Sequence, residues 1–496
     1  MRRNHFTSLI LIAALGGCAV DGNYQRPAAE LPDAWTAATG AGQPAGGGQW
    51  WTLYGDAALD RYVAEALQHN QDLALATARL DEARALARVA DAELIPSVDA
   101  AFQRDRSRRS DSTATRFPGA LENNNYRAQL NVSYELDLWG RLRGSAKAAQ
   151  AELLASTAAR ETVRIALTAA VVQSYYALIA LDAQVAATKK SLALREDNLR
   201  LQRVRAQAGL INDFALRQLA AEVAAAQAQL PALERRRSGE ELALGVLLGR
   251  SPRALLGDGV ARNVDAGRPA TPVVPADLPS DLLLRRPDIA AAEQQLIAVN
   301  ARITAARAAL FPRIGLSGYL GSESAALSNL FSGPAQIWSL GFALAQPIFQ
   351  GGRLFGAIEA VQARERQALA QYQKTLQNAF REVHDALIAQ NRAREVFDAE
   401  QARATALGES LRLARIRYEN GLTSQLEVLD AERNLLSAEL NRADALRAQR
   451  AAIADVVRAL GGGWTGLPAP AQAAAAPWAG AGCMMAGITE TTGGMP

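Results

Sequence analysis

Residues 126–138 read Tyr-Arg-Ala-Gln-Leu-Asn-Val-Ser-Tyr-Glu-Leu-Asp-Leu, and they alternate without a break. Tyr126, Ala128, Leu130, Val132, Tyr134, Leu136 and Leu138 are apolar or small, whereas Arg127, Gln129, Asn131, Ser133, Glu135 and Asp137 are polar. A period of two describes a strand with one apolar and one wet face. Ordinary strands run to about five or six residues. This one is long enough to cross a bilayer at a tilt, which takes about 9–11 residues, and strict alternation is the pattern of a membrane barrel strand. A long strand of a soluble sandwich has the same pattern, so the stretch alone leaves both open.

Composition narrows the function classes. The chain has 496 residues, enough for two or three ordinary domains, and 53 basic against 50 acidic residues give a net charge of +3. Near-balance offers no nucleic-acid footprint, and runs such as Arg235-Arg236-Arg237 read as solvated helix faces. Two cysteines (Cys18, Cys483) and three histidines (His5, His69, His384) build neither a zinc spacing nor a redox motif. With no nucleophile elbow, phosphate loop or dinucleotide fingerprint, the expectation is a protein that is not an enzyme and uses no cofactor.

The N-terminus is an address. Arg2 and Arg3 precede the apolar run Leu9–Leu15, then Gly16-Gly17-Cys18. That is a secretory signal, residues 1–17, too short to span as a helix. Leu15-Gly16-Gly17-Cys18 resembles a bacterial lipobox, which implies acylation of Cys18, and Ala19 after it points to the outer membrane. Several acyl chains on one cysteine would anchor firmly, at about 0.8 kcal/mol per buried methylene.

From there the chain runs twice through one plan. Residues 18–57 read as an extended arm with Trp35, Trp50 and Trp51 as anchors. The first unit, 58–250, has a helical block ending before Pro96, strands at about 97–106 and 126–138, a long helix from Arg141, a break at Gly209-Leu210 and a shorter helix to Leu248-Gly249. Asn123-Asn124-Asn125 has turn composition. Val171, Leu178, Val185, Leu192 and Leu199 stand seven apart, with Leu167 and Leu181 on the partner row, which is a coiled-coil seam. A Pro/Gly/Ala-rich linker, 251–280, follows. The second unit, 281–464, repeats the order: a helix stopping at Pro312, strands at about 313–321 and 337–349, a long helix from Arg353, a break at Gly421-Leu422 and a last helix carrying Leu422, Leu429, Leu436 and Leu426, Leu440. This is an internal duplication. Residues 465–496, which include Cys483, read as a disordered tail.

Four strands cannot close a barrel, and unpaired edges are not tolerated in lipid. Membrane strands therefore have to be pooled by several copies. A lone amphipathic hairpin of roughly 100 Å cannot bury its seam either, so the pattern predicts a homo-oligomer.

On these residues the chain resembles the TolC-type outer-membrane efflux proteins, in particular the NodT-like lipoprotein branch of tripartite multidrug systems. The resemblance runs from about Trp50 to Trp464. It is carried by Cys18, Leu94-Ile95-Pro96 with Leu310-Phe311-Pro312, Leu136-Asp137-Leu138-Trp139-Gly140-Arg141, Arg285-Arg286-Pro287-Asp288, Pro347-Ile348-Phe349-Gln350-Gly351-Gly352-Arg353, Arg417-Tyr418-Glu419-Asn420-Gly421 and Leu429-Asp430-Ala431. It implies an α+β membrane protein: a homotrimer with a 12-stranded transmembrane β-barrel continued by a periplasmic α-helical tunnel. It also implies passive export of small molecules with a periplasmic adaptor and an inner-membrane pump, of the resistance-nodulation-division type, as partners. A type I protein secretion duct of the same fold and a non-conducting structural coiled-coil envelope protein remain the alternatives.

The resemblance also places a gate where the long-helix turns lie. Asp430 matches its acidic position, Leu426 an apolar constriction one turn earlier, Glu427 an addition to the acidic ring, and Tyr418 a latch. Asp430 paired with Arg433 on one helix face, and Tyr418 as a seam residue, are the plainer readings. Gly209, Leu210, Gly421 and Leu422 match the tips on which an adaptor docks. One position departs: the family often has Asp or Thr six residues after the first tip glycine, and here it is Ala215, with Asp213 nearby. That departure leaves the polar partner of Tyr418 open and shifts weight in the closed state toward Leu426 and Asp430.

Overall fold

In the computed structural model, β1 (Ser97–Arg108), β2 (Glu122–Leu136), β3 (Arg313–Ser324) and β4 (Gln336–Ala345) form one antiparallel sheet in chain order. The residues described are 24–28, 48–110, 112, 120–257, 259–262 and 286–467. Cys18, Cys483, His5, Trp35 and Arg285 therefore lie outside the described residues, as do most of the linker and the tail.

The register sorts the two faces. Val98, Val132, Gly318 and Leu340 share one row, and Ala100, Leu130, Leu320 and Trp338 the next. Leu130, Val132, Leu320, Trp338, Leu340 and Phe342 are all exposed, an apolar face of a kind that soluble monomers rarely leave open. On the opposite face Asp99, Asn131, Tyr319 and Ser339 align. There Asn125 Nδ2 donates to Glu323 Oε1 at 2.7 Å and the Arg127 guanidinium lies 4.6 Å from the Tyr319 ring centroid. Among the described residues β1 and β4 pair on one side only, so the sheet ends in two open edges.

Several strand limits differ from the sequence reading. β2 begins at Glu122, and Asn123, Asn124 and Asn125 pair with Ser107, Arg106 and Asp105 instead of turning. The ladder has to continue to the loop, and its outer rungs need no apolar residue. At the other end Leu138 N–H turns back onto the Leu136 carbonyl, which frees Asp137 for the following helix. β4 stops at Ala345, before Pro347, which has no N–H to pair.

The helices are α1 (Ala57–His69), α2 (Gln71–Ala92), α3 (Arg141–Gln207), α4 (Asp213–Leu247), α5 (Pro252–Gly257), α6 (Pro287–Ala308), α7 (Arg353–Glu419) and α8 (Gln425–Ala459). The helical block expected before Pro96 is two helices. Asn70, in extended conformation, closes α1, accepts the Leu73 N–H as the cap of α2, and donates to the Leu247 carbonyl. The duplication is literal in the lengths. α3 and α7 have 67 residues each, α4 and α8 have 35 each, and α2 and α6 have 22 each. Arg141 to Arg353 and Asp213 to Gln425 are both 212 positions, whereas Ser97 to Arg313 is 216. The second unit is thus four residues shorter between β3 and the long helix.

Val171, Leu178, Val185 and Leu199 are buried along α3, as the heptad spacing predicts. One window of this helix is apolar enough to cross a membrane, yet 72% of that window is buried. It is a core helix, packed with α1, Trp50, Tyr54, Leu248 and Ile453. A second cluster joins Ile289, Tyr372, Val383 and Val456. Arg286, from the Arg-Arg-Pro-Asp motif, ties the two ends of the second unit. Its Nη1 donates to the Ala459 carbonyl at 2.8 Å, and its Nη2 to Asp288 and Glu382 at 2.8 Å each. Burial pulls its pKa down, but the two carboxylates outweigh this and leave it above its ordinary value.

Candidate functional site

Where sheet meets helices, the Leu-Asp-Leu-Trp-Gly-Arg motif acts as one joint. Asp137 accepts the Arg143 N–H at 2.8 Å, which satisfies an orphan donor at the start of α3. Arg141 forks onto Glu135 with two contacts of 2.9 Å. Trp139 donates from Nε1 to the Pro312 carbonyl at 2.7 Å and stacks on Phe311 at 4.9 Å, so the first unit is locked to the second. Gly140, at φ 82°, makes the turn that places all three. A hollow of ≈ 750 Å³ opens here, lined by Glu93, Ser97, Ser133, Glu135 and Arg141 among others.

At the far end lie the coil tips. Gly209 and Gly421 sit at φ 72° and 71°, and each ends its long helix with a double bond-back. Leu210 N–H reaches the Arg205 carbonyl and Gly209 N–H that of Ala206; Leu422 and Gly421 repeat this with Arg417 and Tyr418. These are glycine caps of the Schellman kind. The leucine after such a cap commonly folds back onto its helix. Here Leu210 and Leu422 are 72% and 70% exposed, with Phe214 exposed beside the first turn. Asn212 caps α4 through Ala215 N–H at 2.9 Å, whereas Ser424 gives α8 no side-chain cap.

Leu422 and Leu426 do not join the seam of α8, which is built from Val428, Leu429, Ala431 and Leu436. Leu426, 58% exposed, shares an exposed surface with Glu427 and Asp430. In the single chain Asp430 takes the plainer reading: Arg433 reaches its Oδ1 at 2.7 Å and Asn434 its Oδ2 at 3.0 Å, all on one helix. The pair is largely exposed, so it stabilises little and leaves the carboxylate able to turn elsewhere.

Tyr418 has polar partners, at positions other than Ala215. Gln202 Nε2 and Arg205 Nη1, both on α3, donate to its hydroxyl at 3.0 and 3.2 Å. The hydroxyl therefore joins the two long helices across the repeat boundary. Gln202 is 2% exposed. Its signal was present in the spacing: Leu167 and Leu181 continue, seven by seven, as Thr188, Arg195 and Gln202. Polar residues in a seam register are the usual sign of a specificity device. Among the described residues, no group of three or more His, Cys, Asp or Glu is placed to hold a metal.

The family model described as "Outer membrane efflux protein" matches twice over, at residues 62–250 and 278–462. The chain is 36% identical to outer membrane protein OprJ of Pseudomonas aeruginosa, over 94% of this chain and 97% of that one. It is 34% identical to the toluene efflux pump outer membrane protein TtgI of Pseudomonas putida, over 93% and 99%. Among solved structures the Campylobacter jejuni CmeC outer membrane channel superposes with a TM-score of 0.83 at 26% identity, covering 90% of this chain and 95% of the other.

Proposed function

The chain belongs to the outer membrane efflux protein family and is the outer-membrane channel of an efflux system, and from that premise we propose how it works. Three copies pool their four strands into a 12-stranded barrel, and their paired coils form a periplasmic tunnel. The conduit is passive and carries small molecules such as drugs; it performs no catalysis. A periplasmic adaptor docks at Gly209-Leu210 and Gly421-Leu422, and an inner-membrane pump of the resistance-nodulation-division type supplies the cargo. Acyl chains on Cys18 hold the mature N-terminus in the outer membrane.

One observation carries this reading: a four-stranded sheet with an exposed apolar face and two open edges, set on coils of matched length. Such edges cannot stay unpaired in lipid, and a second and third copy supply identical partners. A polar inner face of Asp99, Asn131 and Tyr319 suits a wet duct. At the tips, Tyr418 latches the coils while Leu426, Glu427 and Asp430 narrow the closed end; three Asp430 carboxylates around an axis form a cation-attracting ring.

Native mass measurement of the detergent-extracted protein is expected to give a trimer. Deleting the chromosomal copy is expected to sensitise cells to dyes or antibiotics, with rescue by the intact chain. A monomer in detergent, together with no conductance from Asp430→Ala in a planar bilayer, would sink the duct and leave a structural envelope protein.

A further inference from the structure

Residues 24–28 form a short extended segment far ahead of the helical body in sequence, yet they are bound to α6. Arg26 forks onto Glu293, Nε to Oε1 at 2.6 Å and Nη2 to Oε2 at 2.8 Å, and the Tyr24 hydroxyl donates to Oε1 at 3.3 Å. Glu293 is only 8% exposed, and Arg26 is its one ion-pair partner among the described residues. A carboxylate buried to this degree is costly without a matched cation. Tyr372, buried beside it on α7, has a hydroxyl with no hydrogen-bond partner among the described residues. Burial and the Glu293 charge both raise the Tyr372 pKa, and a phenol is neutral or anionic, never a cation, so Tyr372 cannot neutralise the carboxylate. The counter-ion has to come from the arm.

The arm is fixed a second time. Trp50, Trp51 and Tyr54 pack into the core with α1 and α3, and the Tyr54 hydroxyl donates to the Arg450 carbonyl at 2.8 Å. The Arg26 pin sets the free length ahead of it. From Cys18 to Arg26 are eight residues, a reach of at most roughly 28 Å. From Glu293 to Ala308, the end of α6, are 15 residues, about 22 Å at helical rise. The reach covers that span with little to spare.

We propose that the Arg26–Glu293 fork is a strap that positions the lipid anchor. It leaves the N-terminal cysteine enough chain to reach the sheet end of α6 and little more. The inference rests on the reading of Cys18 as the acylated residue.

Chymotrypsin cleavage after Tyr24 in the full, detergent-extracted protein reports the strap, and the mass of the N-terminal peptide reports acylation. Arg26→Ala and Glu293→Gln are each expected to speed cleavage roughly tenfold or more, since charged hydrogen bonds of this kind are lost, while the acyl mass is unchanged. The reversed pair Arg26→Glu with Glu293→Arg is expected to restore part of the protection. Deleting residues 20–23 shortens the reach to about 14 Å. Acylated protein with this deletion is expected to lose protection at Tyr24, because anchor and strap can no longer both hold. The same deletion in a Cys18→Ala chain exported by an ordinary signal is expected to keep it. Unchanged cleavage in Arg26→Ala overturns the strap. Equal protection in both deletion variants overturns the positioning of the anchor. A wild-type N-terminus without acyl mass removes the anchor reading itself, a failure distinct from the other two.

Discussion

Replacing Tyr418 by Phe removes one hydroxyl from the join between the two long helices and leaves the ring in its seam. The cost depends on the two donors left behind. Arg205 sits at an exposed contact and recovers water, so its loss counts for little. Gln202 is 2% exposed, and its Oε1 has no hydrogen-bond partner among the described residues. Its amide nitrogen would keep only a long contact to Asn198 Oδ1 at 3.4 Å. Stranding a buried amide donor costs about 1–2 kcal/mol. Under the proposed threefold duct, with opening in one step, the copies sum to roughly 3–6 kcal/mol, or a 10²–10⁴-fold shift toward the open state. Single-channel recording in a planar bilayer measures that shift as open probability. The second arm is Gln202→Leu. With Tyr418 intact it removes the unsatisfied Oε1 along with the donor, and Arg205 still serves the hydroxyl, so little change is expected. Combined with Tyr418→Phe, it is expected to close the channel again, because both polar partners are then gone. An open probability unaffected by Tyr418→Phe, or additive opening by the two changes, would refute the reasoning.

Three further outcomes follow from the same geometry. Arg286→Ala strands the Ala459 carbonyl and two carboxylates; Asp288 and Glu382 keep about a third of their surface, so the loss falls at the low end for a broken buried pair, about 3 kcal/mol, read as a lower melting temperature of the extracted protein. Trp139→Phe keeps the stack on Phe311 and forfeits only the bond to Pro312, about 1 kcal/mol, whereas Trp139→Ala loses both, about 2–4 kcal/mol; urea denaturation of the folded barrel form on gels ranks them. Leu130→Arg, on the apolar face, is expected to cost about 2–4 kcal/mol near the bilayer midplane and reduce membrane-assembled protein, while Asn131→Arg on the opposite face assembles normally and alters conductance instead.

Much of this molecule is legible in one dimension because its architecture is periodic. Alternation over residues 126–138 assigned the faces of β2 before any pairing was known, since side-chain direction in a strand has period two. Seven-residue spacing marked Val171 to Leu199 as a buried seam, and the glycines of both tips marked where the coils turn, because only a residue tolerant of positive φ ends a helix that way. Repetition of the whole plan then required a second sheet half and a second coil.

What sequence could not decide are contacts between segments far apart in the chain. Asn70 splits one helical run in two because its amide meets Leu247, 177 positions on. Leu422 and Leu426 fit a heptad on paper, yet the seam of α8 begins only at Val428, since the first turn of a helix at a coil tip has no partner to pack on. Ala215 left the partner of Tyr418 open, and the packing of the two long helices supplied Gln202, 216 positions away in sequence. The Arg26–Glu293 fork spans 267 positions between a tail-like arm and a helix, with no period to announce it. Local pattern fixes which face of an element is apolar; only the packed chain determines which polar group finds which, because such pairing depends on distances that no spacing encodes.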